Sequence, residues 1–176
     1  MKCILKYVGL MITALLVSIV IYPALHELGH AVIALALGVK IIDFNLLPLP
    51  YVVCDFTEFS NIKFIATGLG GMALPFGIST VIQPKNFWAW YGVLMIRMIC
   101  LLSFIISFIS IILYMFNIVM EQEDVIKVLS IWENGKILLL CILFFAMIVI
   151  FFTIVKEKPV KRIFSYFSNP KEASVV

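Results

Sequence analysis

The chain has 176 residues, 64% of them apolar and 13% charged, with a formal net charge of +3. Soluble domains carry roughly 45–50% apolar and about 25% charged residues, and a fold of this length cannot hide so much apolar surface from water. A soluble globule, a disordered chain and a nucleic-acid module are therefore excluded, and the mean hydropathy of +1.16 points to a bilayer.

A bilayer core of about 30 Å needs about 20 apolar residues of helix. Four uncharged stretches meet that length: 7–25, 64–84, 98–120 and 137–155. The expected fold is an all-α polytopic membrane protein, one integral-membrane domain over 1–176. It has about four transmembrane helices, at 4–38, 64–84, 87–120 and 136–155. A short β-hairpin or re-entrant segment follows the first, and a basic tail covers 156–176.

The first helix begins at Lys2 and Lys6 and enters an apolar run without a small-residue cleavage site, so a retained span is expected. Over 4–38 it would be about 52 Å long at 1.5 Å per residue. Pro23 should kink it, since proline cannot bond to the Ile19 carbonyl, and Gly38 is its stop.

Inside this helix the chain reads His26-Glu27-Leu28-Gly29-His30. Positions i and i+4 stack on one helical face, so both imidazoles can reach one cation. The glutamate beside the first histidine can face the open position of a zinc ion and act as base on its water. Both histidines of the chain lie here; random placement would produce this pattern in roughly 1 in 2,000 such chains, which makes the short motif informative. A charged Glu27 within an apolar helix also costs roughly 2.5 kcal/mol or more near the bilayer centre, so it needs a partner or a task.

Residues 40–63 differ in character. Ile41, Ile42, Phe44, Tyr51, Val52, Val53 and Phe56 favour strand, while Pro48 and Pro50 forbid helix. The second helix carries Ala66, Gly68, Gly70, Gly71 and Ala73, a small-residue surface for close helix approach. Gly68, Gly70 and Gly71 can pack on the motif helix and leave room for a substrate backbone; packing alone is the simpler role. Trp88, Trp90 and Tyr91 at the start of the third helix fit an interfacial belt, with Arg97 snorkelling at the membrane boundary; a buried, functional Arg97 is the alternative.

Glu121-Gln122-Glu123-Asp124 follows, then an amphipathic stretch with Val125, Ile126, Val128, Leu129, Ile131 and Trp132, ended by Asn134-Gly135. The tail is basic and breaks at Pro159, which puts it at the surface. Cys3, Cys54, Cys100 and Cys141 are scattered; they suggest neither a disulfide framework nor a cysteine metal site, and Cys100 and Cys141 look like small core residues.

A zinc hydrolase site needs a third protein ligand. Asp124 is favoured, because the motif lies in the distal half of its helix and the third helix ends on that side. Asp43, Asp55, Glu121 and Glu123 compete, the two glutamates also fitting a solvated helix end. Four spans put both termini on one side, with Lys2, Lys6, Lys85, Lys156, Lys158, Lys161, Arg162 and Lys171. The positive-inside rule makes that side cytoplasmic.

The HExxH on a membrane helix resembles the site-2 protease family of intramembrane zinc metalloproteases. Three features carry the resemblance: His26-Glu27-Leu28-Gly29-His30, the small-residue run Ala31 to Gly38 and Val39, and Ala66-Thr67-Gly68-Leu69-Gly70-Gly71. The match covers roughly 10–130 and looks like a small, divergent member. It implies Zn2+ held by His26 and His30, with Glu27 as general base on zinc-bound water and later proton donor. The family's aspartate usually stands in Asp-Gly on a later helix; here Asp124-Val125 takes that distance downstream. The resemblance implies hydrolysis of a peptide bond in a membrane-protein or membrane-peptide substrate, in the cell membrane of a prokaryote. In the family the motif helix usually runs toward the cytoplasm, opposite to the charge bias here. Two other readings use the same residues: a protease-like regulatory protein without activity, and a small metal transporter.

Overall fold

The structure is a computed structural model and describes residues 2–57, 60–118, 120 and 123–168. The first rod joins α1 (Lys2–Leu16), a π-helical turn (Val17–Ile21) and α2 (Tyr22–Ala36). A hairpin of β1 (Lys40–Asn45) and β2 (Tyr51–Asp55) follows, then α3 (Asn61–Val81) and α4 (Phe87–Met115). A short α5 (Asp124–Ile131) and a 3-10 turn (Glu133–Gly135) lead to α6 (Lys136–Lys156) and α7 (Pro159–Ser168). Four helical rods are long and apolar enough to cross a membrane: the first rod, α3, α4 and the rod containing α6. Their outward faces are apolar, with Ile19, Leu35, Phe145 and Phe152 about two-thirds exposed, as lipid solvation requires.

The first rod absorbs Pro23 without a break. The Tyr22 N–H donates to the Val17 carbonyl, five residues back, and Pro23 falls in the first turn of α2, where a missing N–H costs least. The stop at Gly38 is as expected: it takes φ +69°, and the Val39 N–H returns to the Ala34 carbonyl at 2.8 Å.

The strands pair antiparallel, Lys40 opposite Asp55 and Phe44 opposite Val52, with a bulge between Ile41 and Asp43. Helix α3 starts and stops three residues before the expected 64–84, because Pro84 disfavours helix at the residue before it. Helix α4 stops at Met115 rather than Met120. Asn117 takes φ +62°, and the Ile118 N–H caps the Leu113 carbonyl at 3.0 Å, so asparagine serves here as glycine does at Gly38.

Other expectations are corrected. Trp90 and Tyr91 are buried, leaving Trp88 as the exposed aromatic of that turn. Arg97 does not snorkel: it is 1% exposed. Its Nε donates to the Ser79 carbonyl at 2.8 Å, and its Nη1 pairs with Glu157 Oε1. The end of α3 lacks carbonyl partners, and the guanidinium fork supplies them. Cys100 is buried as expected, but Cys141 faces outward. The break expected at Pro159 is present: α6 ends at Lys156 and the chain turns at Lys158, and Pro159 then opens α7, a position proline favours. Tyr166 of α7 stacks on Phe87 with ring centroids 3.9 Å apart. The Lys6 ammonium donates to the Tyr166 carbonyl at 2.8 Å, so the start of α1 and α7 share one end of the bundle.

Candidate metal centre

Helix α2 crosses α3 at unusually close range. A Cβ on Gly29 would stand 2.2 Å from the Gly70 carbonyl oxygen, and one on Gly70 would stand 2.7 Å from the Gly29 oxygen. Only glycine on both sides allows this approach. At the next residue, a Cβ on Gly71 would lie 2.4 Å from His30 Nε2 and 2.8 Å from His26 Cε1. The missing side chain is the cradle in which the two imidazoles sit.

The Nε2 atoms of His26 and His30 are 3.1 Å apart. His30 Nδ1 lies 2.7 Å from the Thr67 carbonyl oxygen. That oxygen only accepts, so Nδ1–H is the donor and the tautomer is set, leaving the Nε2 lone pair of the neutral ring facing His26. A carbonyl in this place is the usual orienting partner of a metal-binding histidine.

Asp124, first residue of α5, completes the cluster. Its Oδ2 stands 3.0 Å from His26 Nε2 and 3.3 Å from His30 Nε2. Its Oδ1 accepts from Lys127 Nζ at 3.2 Å. The helix reaches this point because Val125, Ile126, Val128 and Leu129 are buried in the bundle core, and Val128 Cγ2 fills the space over Gly68. Burial pushes the Asp124 carboxyl up, but hydrogen bonds from His26 and His30 and their charges outweigh it and hold the carboxyl well below the usual carboxylate range. Glu27 lies beside the histidines; one ligand atom from each of His26, Glu27 and His30 falls within 4.8 Å of the others.

These groups fit a divalent cation. Ligands at about 2.0–2.1 Å from a tetrahedral centre lie about 3.3–3.4 Å from one another. The three separations among His26, His30 and Asp124 are of that size. Two imidazoles and a carboxylate are nitrogen and oxygen donors of the kind that hold divalent transition metals.

The competing acids are engaged elsewhere. Asp43 accepts from the Tyr51 hydroxyl at 2.8 Å. Asp55 accepts from the Thr57 hydroxyl at 2.7 Å and its N–H at 3.1 Å. The buried Ser107 hydroxyl donates to Glu123 Oε2 at 3.3 Å, which pins the start of α5 to α4. Glu121 lies outside the described residues.

A cavity of about 330 Å³ opens beside the cluster, lined by Glu27, His30 and Asp124 on one side and by Tyr51, Val52, Cys54 and Phe56 of the hairpin region on the other. Of the three glycines, Gly68 lines it, whereas Gly70 and Gly71 are buried in the helix crossing. Sequence reasoning overlooked Thr67 and Cys54. Thr67 stands four residues before Gly71, so it shares the face of α3 that meets α2; that spacing was its available signal. Nothing in the sequence singles out Cys54. Burial, and then the Glu27 charge, push its thiol pKa up.

No family model, no curated protein and no solved structure matches the chain.

Proposed function

We propose that this chain is an intramembrane zinc metalloendopeptidase of the site-2 protease kind, acting on a membrane-embedded protein or peptide in a prokaryotic cell membrane. The observation that carries the reading is the convergence of His26 Nε2, His30 Nε2 and Asp124 Oδ2 beside a cavity that Glu27, His30 and Asp124 line. His26, His30 and Asp124 would hold the metal. Zinc in such a site supplies Lewis acidity and lowers the pKa of water toward about 7.

The other roles belong to the chain. The Glu27 carboxylate accepts a proton from the attacking water as oxygen adds to the scissile carbonyl carbon. When the C–N bond breaks, Glu27 returns that proton to the leaving amine. Thr67 keeps His30 in its tautomer. A helical substrate shields its amides in internal hydrogen bonds, so it must unwind before cleavage. The two-stranded sheet leaves each strand one unpaired edge, and β2 lies against the cavity, where it can hold the unwound strand by edge pairing. Gly68 leaves that strand room.

The test is metal content of the full chain in detergent, wild type beside Glu27→Ala, His26→Ala and Asp124→Ala, with cleavage of membrane peptides measured in parallel. About one zinc per chain is expected, kept in Glu27→Ala but lost from the other two, with cleavage absent from all three variants. A wild type that takes up no zinc on reconstitution sinks the reading.

A further inference from the structure

The far end of the bundle carries a second feature, unrelated to the metal centre. Helix α6 ends at Lys156, and the chain turns at Lys158, whose φ is +49°. The elbow is held from inside. Glu157 accepts from Trp90 Nε1 at 2.8 Å and pairs with Arg97, while the Arg162 guanidinium lies 4.5 Å from the Trp90 ring centroid. One face of α7 is thus docked. Its other face projects Val160 and Phe164, 82% and 73% exposed.

Between α6 and α7 lies a hollow of about 600 Å³ with an almost wholly apolar wall, formed by Ile154, Val155, Val160 and Phe164 and edged by Lys158 and Lys161. Lys156, Lys158 and Lys161 are exposed, and none has an acidic partner among the described residues. Glu157, which stands between Lys156 and Lys158 in the chain, is already committed to Arg97 and Trp90.

We propose that this elbow binds an anionic phospholipid. Its phosphate sits at the edge marked by Lys158 and Lys161, in the field of the neighbouring exposed Lys156, and an acyl chain lies in the hollow along Val155, Val160 and Phe164. Three features select this occupant. The apolar run of α6 ends here, so the lysines stand at headgroup depth. The wall is apolar below and cationic at the rim, the polarity of a lipid read from chain to headgroup. The three unpaired charges discriminate against a zwitterionic headgroup. Lysine stems can extend an apolar wall while their ammonium groups stay in water, and α7, with Val160 and Phe164 exposed on its free face, has the pattern of an interfacial amphipathic helix.

Full-length protein in a neutral detergent would be titrated with dioleoyl phosphatidylglycerol or dioleoyl phosphatidylcholine, with bound lipid counted by native mass spectrometry. Wild type is expected to hold phosphatidylglycerol at least about 5-fold more tightly. Lys156→Glu and Lys161→Glu, both at exposed positions, should each weaken it about 5-fold or more and leave phosphatidylcholine unchanged. Lys40→Glu makes the same charge change at the opposite end and should alter neither. Equal affinity for the two lipids overturns the proposal. So does an equal loss in Lys40→Glu, which would reduce the preference to net charge. Displacement of the lipid by soluble glycerophosphoglycerol also overturns it, since the hollow would then contribute nothing.

Discussion

Asp124 Oδ2 lies 3.0 Å from His26 Nε2, although 98 residues separate the two. The contact joins the motif helix to the short helix after α4, and the candidate centre depends on it. Three lone-pair donors meet at one point, and such donors repel unless a cation or protons lie between them. From this follow the expectations for the metal.

Acid should release metal through the histidines rather than through Asp124. The Asp124 carboxyl has its folded pKa depressed. The stability it contributes is therefore complete above the unfolded value of about 3.9 and is lost as pH falls toward the folded pKa. The carboxylate thus stays charged through mild acid. Protons compete with metal for the imidazole lone pairs, so zinc retained after dialysis should already be lost at about pH 4, where Asp124 is still ionised. Retention of full zinc content at pH 4 would contradict this order.

Lys127 should matter little. It is i+3 from Asp124, and its side chain is 53% exposed, so the pair is worth about 1 kcal/mol at most. Lys127→Met is expected to weaken zinc affinity by about 5-fold or less, measured by competition with a chromophoric chelator. A loss of hundreds-fold would make Lys127 a principal holder of Asp124.

Glycine substitutions should separate packing from mere helix propensity. Gly29→Ala puts a methyl 2.2 Å from the Gly70 carbonyl oxygen, and overpacking of this kind costs about 1–3 kcal/mol or more. Gly77→Ala, in the same α3, meets nothing within 4 Å and should be neutral or stabilising by up to about 1 kcal/mol. Thermal unfolding in detergent is expected to rank Gly29→Ala well below wild type and Gly77→Ala at or above it. Equal shifts for both would remove the close crossing as their cause.

Arg97→Met should destabilise the bundle strongly. It strips the Ser79 carbonyl of its donor and leaves Glu157 without its cation; breaking a buried pair from one side costs about 3–5 kcal/mol. Glu157→Gln keeps an acceptor for Trp90 and, being partly exposed, should cost less. The comparison is read from unfolding midpoints, and a smaller loss for Arg97→Met would refute the account of Arg97 as the group that holds the end of α3 to Glu157.

Much of this architecture is written locally. Composition places the chain in lipid, uncharged runs mark the spans, prolines and strand formers mark the hairpin, and the i, i+4 spacing puts His26 and His30 on one face. Each of these depends on neighbours within one or two turns, so a linear reading reaches it. The ends of helices were less legible: Asn117 stops α4 and Pro159 starts α7 through backbone conformations that several residue types can adopt.

What only the tertiary structure decided are the contacts between distant segments. Asp43, Asp55, Glu123 and Asp124 have the same chemistry in sequence. They are separated by where their elements pack: the hairpin satisfies its own aspartates, Ser107 holds Glu123, and the apolar face of α5 buries itself so that Asp124 meets the imidazoles. Sequence alone favours the membrane surface for Arg97, because an isolated cation avoids lipid. It is buried because the carbonyls that the end of α3 leaves without helical partners and the Glu157 carboxylate, 60 residues on, together replace its water.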